Sequence, residues 1–152
     1  MKRIDFYQLQ KNTLEEALPK LVQKAYETGK KIKIKVGNEL RVDFINSALW
    51  TFDEESFLPH GTKKEGNAEL EPIYLSAEDE NLNDALLLFL VDGADMALEK
   101  AENFERIFYV FNGASEEELL KARATWKMFK SDDIERHYWQ QDDFGKWKEK
   151  QI

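Results

Sequence analysis

Ala85 to Val91 is an unbroken run of apolar residues, closed by Asn83-Asp84 on one side and by Asp92-Gly93 on the other. It is far too short to cross a bilayer, which takes about 20 apolar residues as a helix. It also lacks the polar alternation of a strand with one wet face. The run therefore predicts a strand buried on both faces, and such a strand needs covering layers above and below it.

The rest of the chain offers those layers. Ile4 to Leu9 reads as a first strand. Asn12-Thr13 marks a helix start, with Glu15 and Glu16 in the first turn where the helix dipole favours anions. Leu14, Leu18, Leu21, Val22, Ala25 and Tyr26 then recur at helical spacing. Pro19 inside this pattern predicts a kink or a shifted start, and Gly29 a C-cap. Lys31 to Val36 alternates strictly and predicts a half-buried or edge strand. Leu40, Phe44, Ile45, Ala48 and Leu49 describe a second amphipathic helix, followed by a loop from Thr51 to Asn67. Pro72 to Leu75 and Arg106 to Phe111 read as further strands. Ser115 with Glu118 forms a capping box that starts a helix running to Phe129. Strands alternating with helices predict an α/β fold, a three-layer α/β/α sandwich around a mainly parallel sheet. The gap between Leu75 and Ala85 is short for a helical crossover, so the sheet is expected to be mixed there.

Length and charge narrow the function. With 152 residues, one domain spanning 1–152 is expected. A net charge of −8 argues against general nucleic-acid binding, which needs a basic footprint. The absence of cysteine removes disulfides, thiolate nucleophiles and cysteine-based zinc sites, and is compatible with a cytoplasmic protein. Met-Lys-Arg-Ile-Asp runs into polar sequence by Gln8, so no secretory leader and no membrane span are expected.

Catalytic patterns are missing as well. The first strand leads into Gln8-Leu9-Gln10-Lys11-Asn12-Thr13, with no glycine to bring backbone amides onto a phosphate, and neither phosphate-loop nor dinucleotide fingerprints occur. His60 and His137 stand alone without metal-ligand spacing, so no metal and no cofactor are expected. Asp92 follows the buried strand, where α/β catalytic residues often sit. One reading is therefore a small nucleotide-binding or hydrolytic domain acting through Asp92. Acids at strand ends more often cap the next element or face solvent.

Two surfaces point elsewhere. Three of the four tryptophans fall between residues 123 and 147, beside Lys and Arg residues in an otherwise acidic chain. On the helix from Ser115, Arg123, Trp126 and Lys127 are three and four residues apart, so their side chains are neighbours, with Lys121 and Lys130 close in sequence. Such a surface suits a small anionic, partly apolar partner: a carboxylate in the guanidinium fork and an apolar group on the indole. A core tryptophan flanked by solvated lysines has the same spacing. The second surface is Trp50 with Phe57, Leu58, Pro59 and His60, either a protein contact or a loop pinned by its own aromatics.

Read in order, these pieces carry a resemblance. Phe6-Tyr7-x-Leu9 is followed by Leu49-Trp50, Ser56-Phe57-Leu58-Pro59-His60, Pro72-Ile73 and Asn83-x-Ala85. Then come Phe104-Glu105-Arg106, Phe111-Asn112-Gly113, Ala122-Arg123-x-x-Trp126-Lys127 and Tyr138-Trp139-Gln140-Gln141 to Gly145-x-Trp147. The ordered set resembles the chi subunits of bacterial DNA polymerase III holoenzyme across nearly the whole chain. The resemblance implies a nucleotide-binding-like fold without a phosphate loop. It also implies a non-enzymatic, cytoplasmic bridge between the clamp loader, through the psi subunit, and single-stranded-DNA-binding protein.

By the same resemblance, Arg123 would grip the terminal carboxylate of that protein's acidic, phenylalanine-ended tail. Trp126 would pack on the terminal ring, Lys127 would meet the tail's aspartates, and Lys121 and Lys130 would add charge. Trp50, Phe57, Pro59 and His60 would form the face for psi, or for a helicase competing with it. The chain departs from the family at Leu119, where some members carry lysine, and at Asn112, where others carry aspartate. Asp132, Asp133 and Glu135 bring negative charge near the proposed tail site.

Overall fold

The computed structural model describes residues 2–51 and 59–151. Its eight strands are β1 (Arg3–Leu9), β2 (Ile32–Val36), β3 (Gly61–Thr62), β4 (Ile73–Ser76), β5 (Leu87–Val91), β6 (Arg106–Asn112), β7 (Glu135–Gln141) and β8 (Trp147–Glu149). They form one sheet in the order β3-β4-β2-β5-β6-β1-β7-β8. Every pairing is parallel except β7 with β8. The helices are α1 (Leu14–Tyr26), α2 (Glu39–Thr51), α3 (Leu98–Ala101) and α4 (Glu116–Met128).

Side chains of α1 and α2 share one core with Leu87, Phe89 and Val91 of β5. Ala101 of α3 and Ala122 of α4 share a second core with Leu88 and Leu90. The apolar run is thus covered on both faces from Leu87 to Val91, with Leu86 exposed before the strand begins, and the architecture is a three-layer α/β/α sandwich. The sheet is mixed, but for a different reason from the expected one. Residues 77–86 carry the chain from β4 past β2 to β5, and both strands stay parallel to β2. The antiparallel pair comes from the hairpin of β7 and β8.

Local signals set the helix ends. Thr13 and Glu16 make a complete capping box at the start of α1. This start outweighs Pro19, and the helix runs through the proline without moving its first residue. At α4 the box is half formed. Ser115 Oγ accepts from Glu118 N at 3.2 Å, but the Glu118 carboxylate turns to the Asn112 N–H at 3.4 Å. α2 departs from the expected amphipathic pattern: Val42, Ile45 and Leu49 are buried, whereas Leu40 and Phe44 face solvent.

β2 corrects the edge-strand expectation. It lies between β4 and β5, and Lys33 has no exposed surface. Ile32, Ile34 and Val36 point into the α1/α2 core. The lysines point to the other face, toward the acidic residues Glu78, Asp79 and Glu80. Lys33 Nζ donates to Ser76 Oγ and stands 4.9 Å from the centre of the Tyr74 ring. Lys35 pairs with Asp79, which Lys100 also reaches at 3.0 Å. Long apolar stems let such residues fill a core when their heads find partners.

Burial pulls the Lys33 ammonium down to about 8. A lysine bound more weakly to its proton when folded costs stability below that pH, and the cost is relieved as pH rises toward the unfolded value near 10.4. Urea unfolding is therefore expected to show stability rising between pH 8 and 10, by no more than about 3 kcal/mol. Lys33→Met is expected to flatten that rise. An unchanged slope in the variant would assign the rise to other groups.

Candidate functional site

Parallel α/β sheets commonly bind ligands at the carboxyl ends of their strands. That end holds a crevice of about 280 Å³, lined by Leu9, Asn12, Glu15, Arg41, Asp92 and Glu118 among others. Arg41 donates to Asp92 Oδ2 and to Glu15 Oε1, both at 2.9 Å. Burial pushes the Glu118 carboxyl up, and the charge of Asp92 acts in the same direction. The one arginine is already shared between two carboxylates, so the crevice does not attract phosphate. Asp92 is held in an ion pair with Arg41. Among the described residues no group of three His, Asp or Glu side chains is arranged to hold a metal ion.

The turn from β1 into α1 is where phosphate-binding folds gather backbone amides. Without any glycine, this turn does gather them. The N–H groups of Gln10, Lys11 and Asn12 all donate to Gln141 Oε1, at 3.1, 3.0 and 3.1 Å. Gln141 Nε2 donates in turn to Asn12 Oδ1 at 2.7 Å and to the Gly145 carbonyl at 3.2 Å. A side chain from the end of β7 thus fills the place where an anion would sit. Sequence reasoning missed this nest, because its filler lies at the far end of the chain.

The α4 surface is built on the opposite layer. Trp126 is partly buried against the second core, with its ring centre 5.2 Å from Phe6 and 5.9 Å from Tyr138. The Arg136 guanidinium lies over the indole at 4.4 Å, and its Nη1 donates to the Trp126 carbonyl at 2.8 Å. That bond satisfies a carbonyl of the last helical turn and sets a positive charge where the dipole favours it. Arg123, Lys127 and Lys130 are exposed and form no ion pair with any described residue. Leu120, 63% exposed, adds an apolar group three residues before Arg123.

Lys121 does not join this group. Two positions from Arg123, it leaves another side of the helix and points toward the Gly93 carbonyl at 3.4 Å and Glu117 at 3.9 Å. Arg136, Tyr138 and Phe6 are the members that sequence reasoning passed over. The signal was in the Tyr138-Trp139-Gln140-Gln141 stretch, whose residues divide between the two faces of β7. Tyr138 OH and Gln140 Nε2 both donate to Gln8 Oε1 on the α4 side. Trp139 packs against the α1 side and donates to Asp5 Oδ1 at 3.0 Å.

The other surface lies at the end of α2. Trp50 is 45% exposed and its ring centre stands 4.2 Å from His60. His60 is buried, with Nε2 at 3.3 Å from the Asn46 carbonyl, and Pro59 is half-buried. Phe57 lies outside the described residues. Trp50, Pro59 and His60 are thus neighbours, with Trp50 the most exposed of them.

The model of the family "DNA polymerase III chi subunit, HolC" matches residues 1–137. A relative described as "Probable DNA polymerase III subunit chi", from Rickettsia prowazekii (strain Madrid E), is 28% identical over 97 residues. That match covers 64% of this chain and 59% of the relative, so it spans about three fifths of the relative's length.

Proposed function

The chain belongs to the DNA polymerase III chi subunit family, and from that premise we propose that it is a non-catalytic replication subunit whose α4 surface docks the acidic C-terminal tail of single-stranded-DNA-binding protein. The observation that carries this reading is the set of three exposed cations with no ion-pair partner among the described residues, beside a partly buried indole, in a chain of net charge −8. Like charges grouped on and just beyond one helix repel one another, so they favour an anionic partner. Arg123 takes the terminal carboxylate in its planar fork, and Lys127 and Lys130 meet the aspartates. Trp126, held by Arg136 and Phe6, gives the terminal ring a rigid floor. Trp50, with Pro59, His60 and Phe57, forms the face for the psi subunit or a competing helicase.

Calorimetric titration with a peptide of the host's tail tests the reading. Micromolar binding is expected, abolished when the final phenylalanine is deleted. Arg123→Ala is expected to weaken binding by about 10- to 100-fold, the loss of a charge-assisted hydrogen-bonded pair. Lys127→Ala is expected to cost only about two- to fivefold, the worth of an exposed ion pair. Equal losses would remove the carboxylate role from Arg123, and no binding at low salt would remove the tail from this surface.

A further inference from the structure

Four of the five arginines are half-buried, and three of those four hold a carboxylate. Arg3 and Arg106 share Asp5, and Arg41 holds Asp92 and Glu15. Arg136 is the exception: it forms no ion pair with any described residue, in a chain with 30 acidic side chains. Glu135, beside it in sequence, leaves the opposite face of β7 and meets His137 at 3.2 Å. A charge taken partly out of water without a partner costs stability, and a pair formed there is screened less than one at an exposed lysine.

The guanidinium has one edge engaged and one edge open. Nη1 donates to the Trp126 carbonyl at 2.8 Å and Cζ lies 4.4 Å from the centre of the indole, which together hold its plane. Nε and Nη2 donate to no described residue. These two make the side-on fork that fits a carboxylate. Arg123 belongs to the same surface. Burial pushes the Tyr138 hydroxyl up, and the charge of Arg123 acts against that rise; the Tyr138 ring in turn stands 5.9 Å from Trp126. The Trp126 carbonyl lies about one helical turn beyond the root of Arg123, a rise of roughly 5 Å, or about one to two residues of an extended peptide.

We propose that Arg136 is a second carboxylate-binding residue of this surface, taking an aspartate that precedes the tail's last residue while Arg123 takes the terminal carboxylate. This rests on the same surface being the tail site, and it gives the tail a direction. The tail's end lies toward Arg123, and its acidic stretch runs toward the C-terminal end of α4, to Arg136 and the exposed Lys130. Arg136 is then a contact residue as well as the prop of Trp126. Its pair with an aspartate is worth more than those at Lys127 and Lys130, which are fully in water's reach. Asp132 and Asp133, exposed between Lys130 and β7, put like charge at that end. Selectivity there comes from the fit of one carboxylate in the fork and not from net charge.

Calorimetric titration of the full chain tests this, with the tail peptide, with peptides in which each aspartate in turn becomes asparagine, and with one whose end is amidated. One of the asparagine peptides is expected to bind the unaltered chain about tenfold more weakly, the worth of a charge-assisted pair. Arg136→Gln is expected to lose about tenfold toward the unaltered peptide but less than about twofold toward that asparagine peptide. Its loss toward the amidated peptide is expected to be undiminished, whereas Arg123→Ala shows the reverse pattern. Arg136→Lys keeps the charge without the fork, and is expected to lose about threefold with the same aspartate preference. Equal losses toward every peptide would leave Arg136 only the prop of Trp126 and overturn the proposal. Undiminished binding by Arg136→Gln, or coupling to the amidated end, would overturn it too. If the unaltered chain binds no peptide, the tail reading fails and takes this one with it. If it binds and Arg136 couples to no aspartate, this proposal alone fails.

Discussion

Asp5→Ala is expected to cost about 3 to 5 kcal/mol, the loss seen when one partner of a buried ion pair is removed. Asp5 has no exposed surface. Arg3 grips both its oxygens at 2.9 Å, Arg106 Nε donates to Oδ2 at 2.8 Å, and Trp139 Nε1 donates to Oδ1 at 3.0 Å. Burial pushes the Asp5 carboxyl up, but the bonds from Arg3 and Trp139 and the charge of Arg106 outweigh it and hold the group below the usual carboxylate range. Removing the carboxylate strands two guanidiniums and an indole N–H. Both arginines are about one-third exposed and can turn to water, which favours the lower end of the range. Total stabilities are only about 5 to 15 kcal/mol, so the variant is expected to unfold at much lower urea. The depressed folded value also makes Asp5 an acid-sensitive group. Its contribution is present above the unfolded value near 3.9 and is lost as pH falls through the lower folded one. Asp5→Asn is expected to keep the indole bond and lose that acid limb. A variant as stable as the unaltered chain would mean that Arg3 and Arg106 find equal partners without it.

Asp5 also bears on the surface proposed to dock the tail. Through Trp139 it anchors the α1 side of β7, and the other side of β7 carries Arg136 and Tyr138 against Trp126. Loosening β7 is expected to weaken the proposed tail binding without altering Arg123, Trp126 or Lys127.

How much of this could be read beforehand follows from how local each signal is. Leu87–Val91 of the apolar run is the buried strand that the run predicts, although Leu86 before it is exposed; Thr13 with Glu16 states a helix start, because four residues contain the whole interaction. Arg123, Trp126 and Lys127 were legible as neighbours from helical spacing alone. The same spacing separates Lys121 from them, and the structure adds what draws it away, the Gly93 carbonyl. Lys33 was misread because its burial depends on a segment more than forty positions later, from Ser76 onward. β7 escaped for a related reason. Both its faces are partly covered, Tyr138 by one core and Trp139 by the other, so its residues show no clean apolar alternation. Its parallel partner, β1, lies at the opposite end of the sequence.

Gln141→Ala is expected to be the second most damaging change, at about 2 to 4 kcal/mol, because it takes one acceptor from three backbone donors at once. Gln10 and Lys11 are exposed, so water can reach part of the turn and limit the loss. The variant also tests whether Gln141 stands in for an anion at this turn. With the side chain gone, the amides of residues 10–12 form an open anion nest at the start of α1, where the helix dipole adds to the attraction. Sulfate is expected to raise the melting midpoint of Gln141→Ala by about 2 to 4 °C more than that of the unaltered chain, equivalent to about 1 kcal/mol of added stability. Comparing the two chains removes the general effect of sulfate on burial. Glu15, Asp92 and Glu118 oppose any larger anion, so a nucleoside triphosphate is expected to do no better than sulfate. Equal sulfate shifts in both chains would mean that the nest collapses once its filler is lost. A selective shift would mean that the backbone still builds an anion site, that Gln141 closes it, and that binding in this chain rests on its helix faces, not on its strand ends.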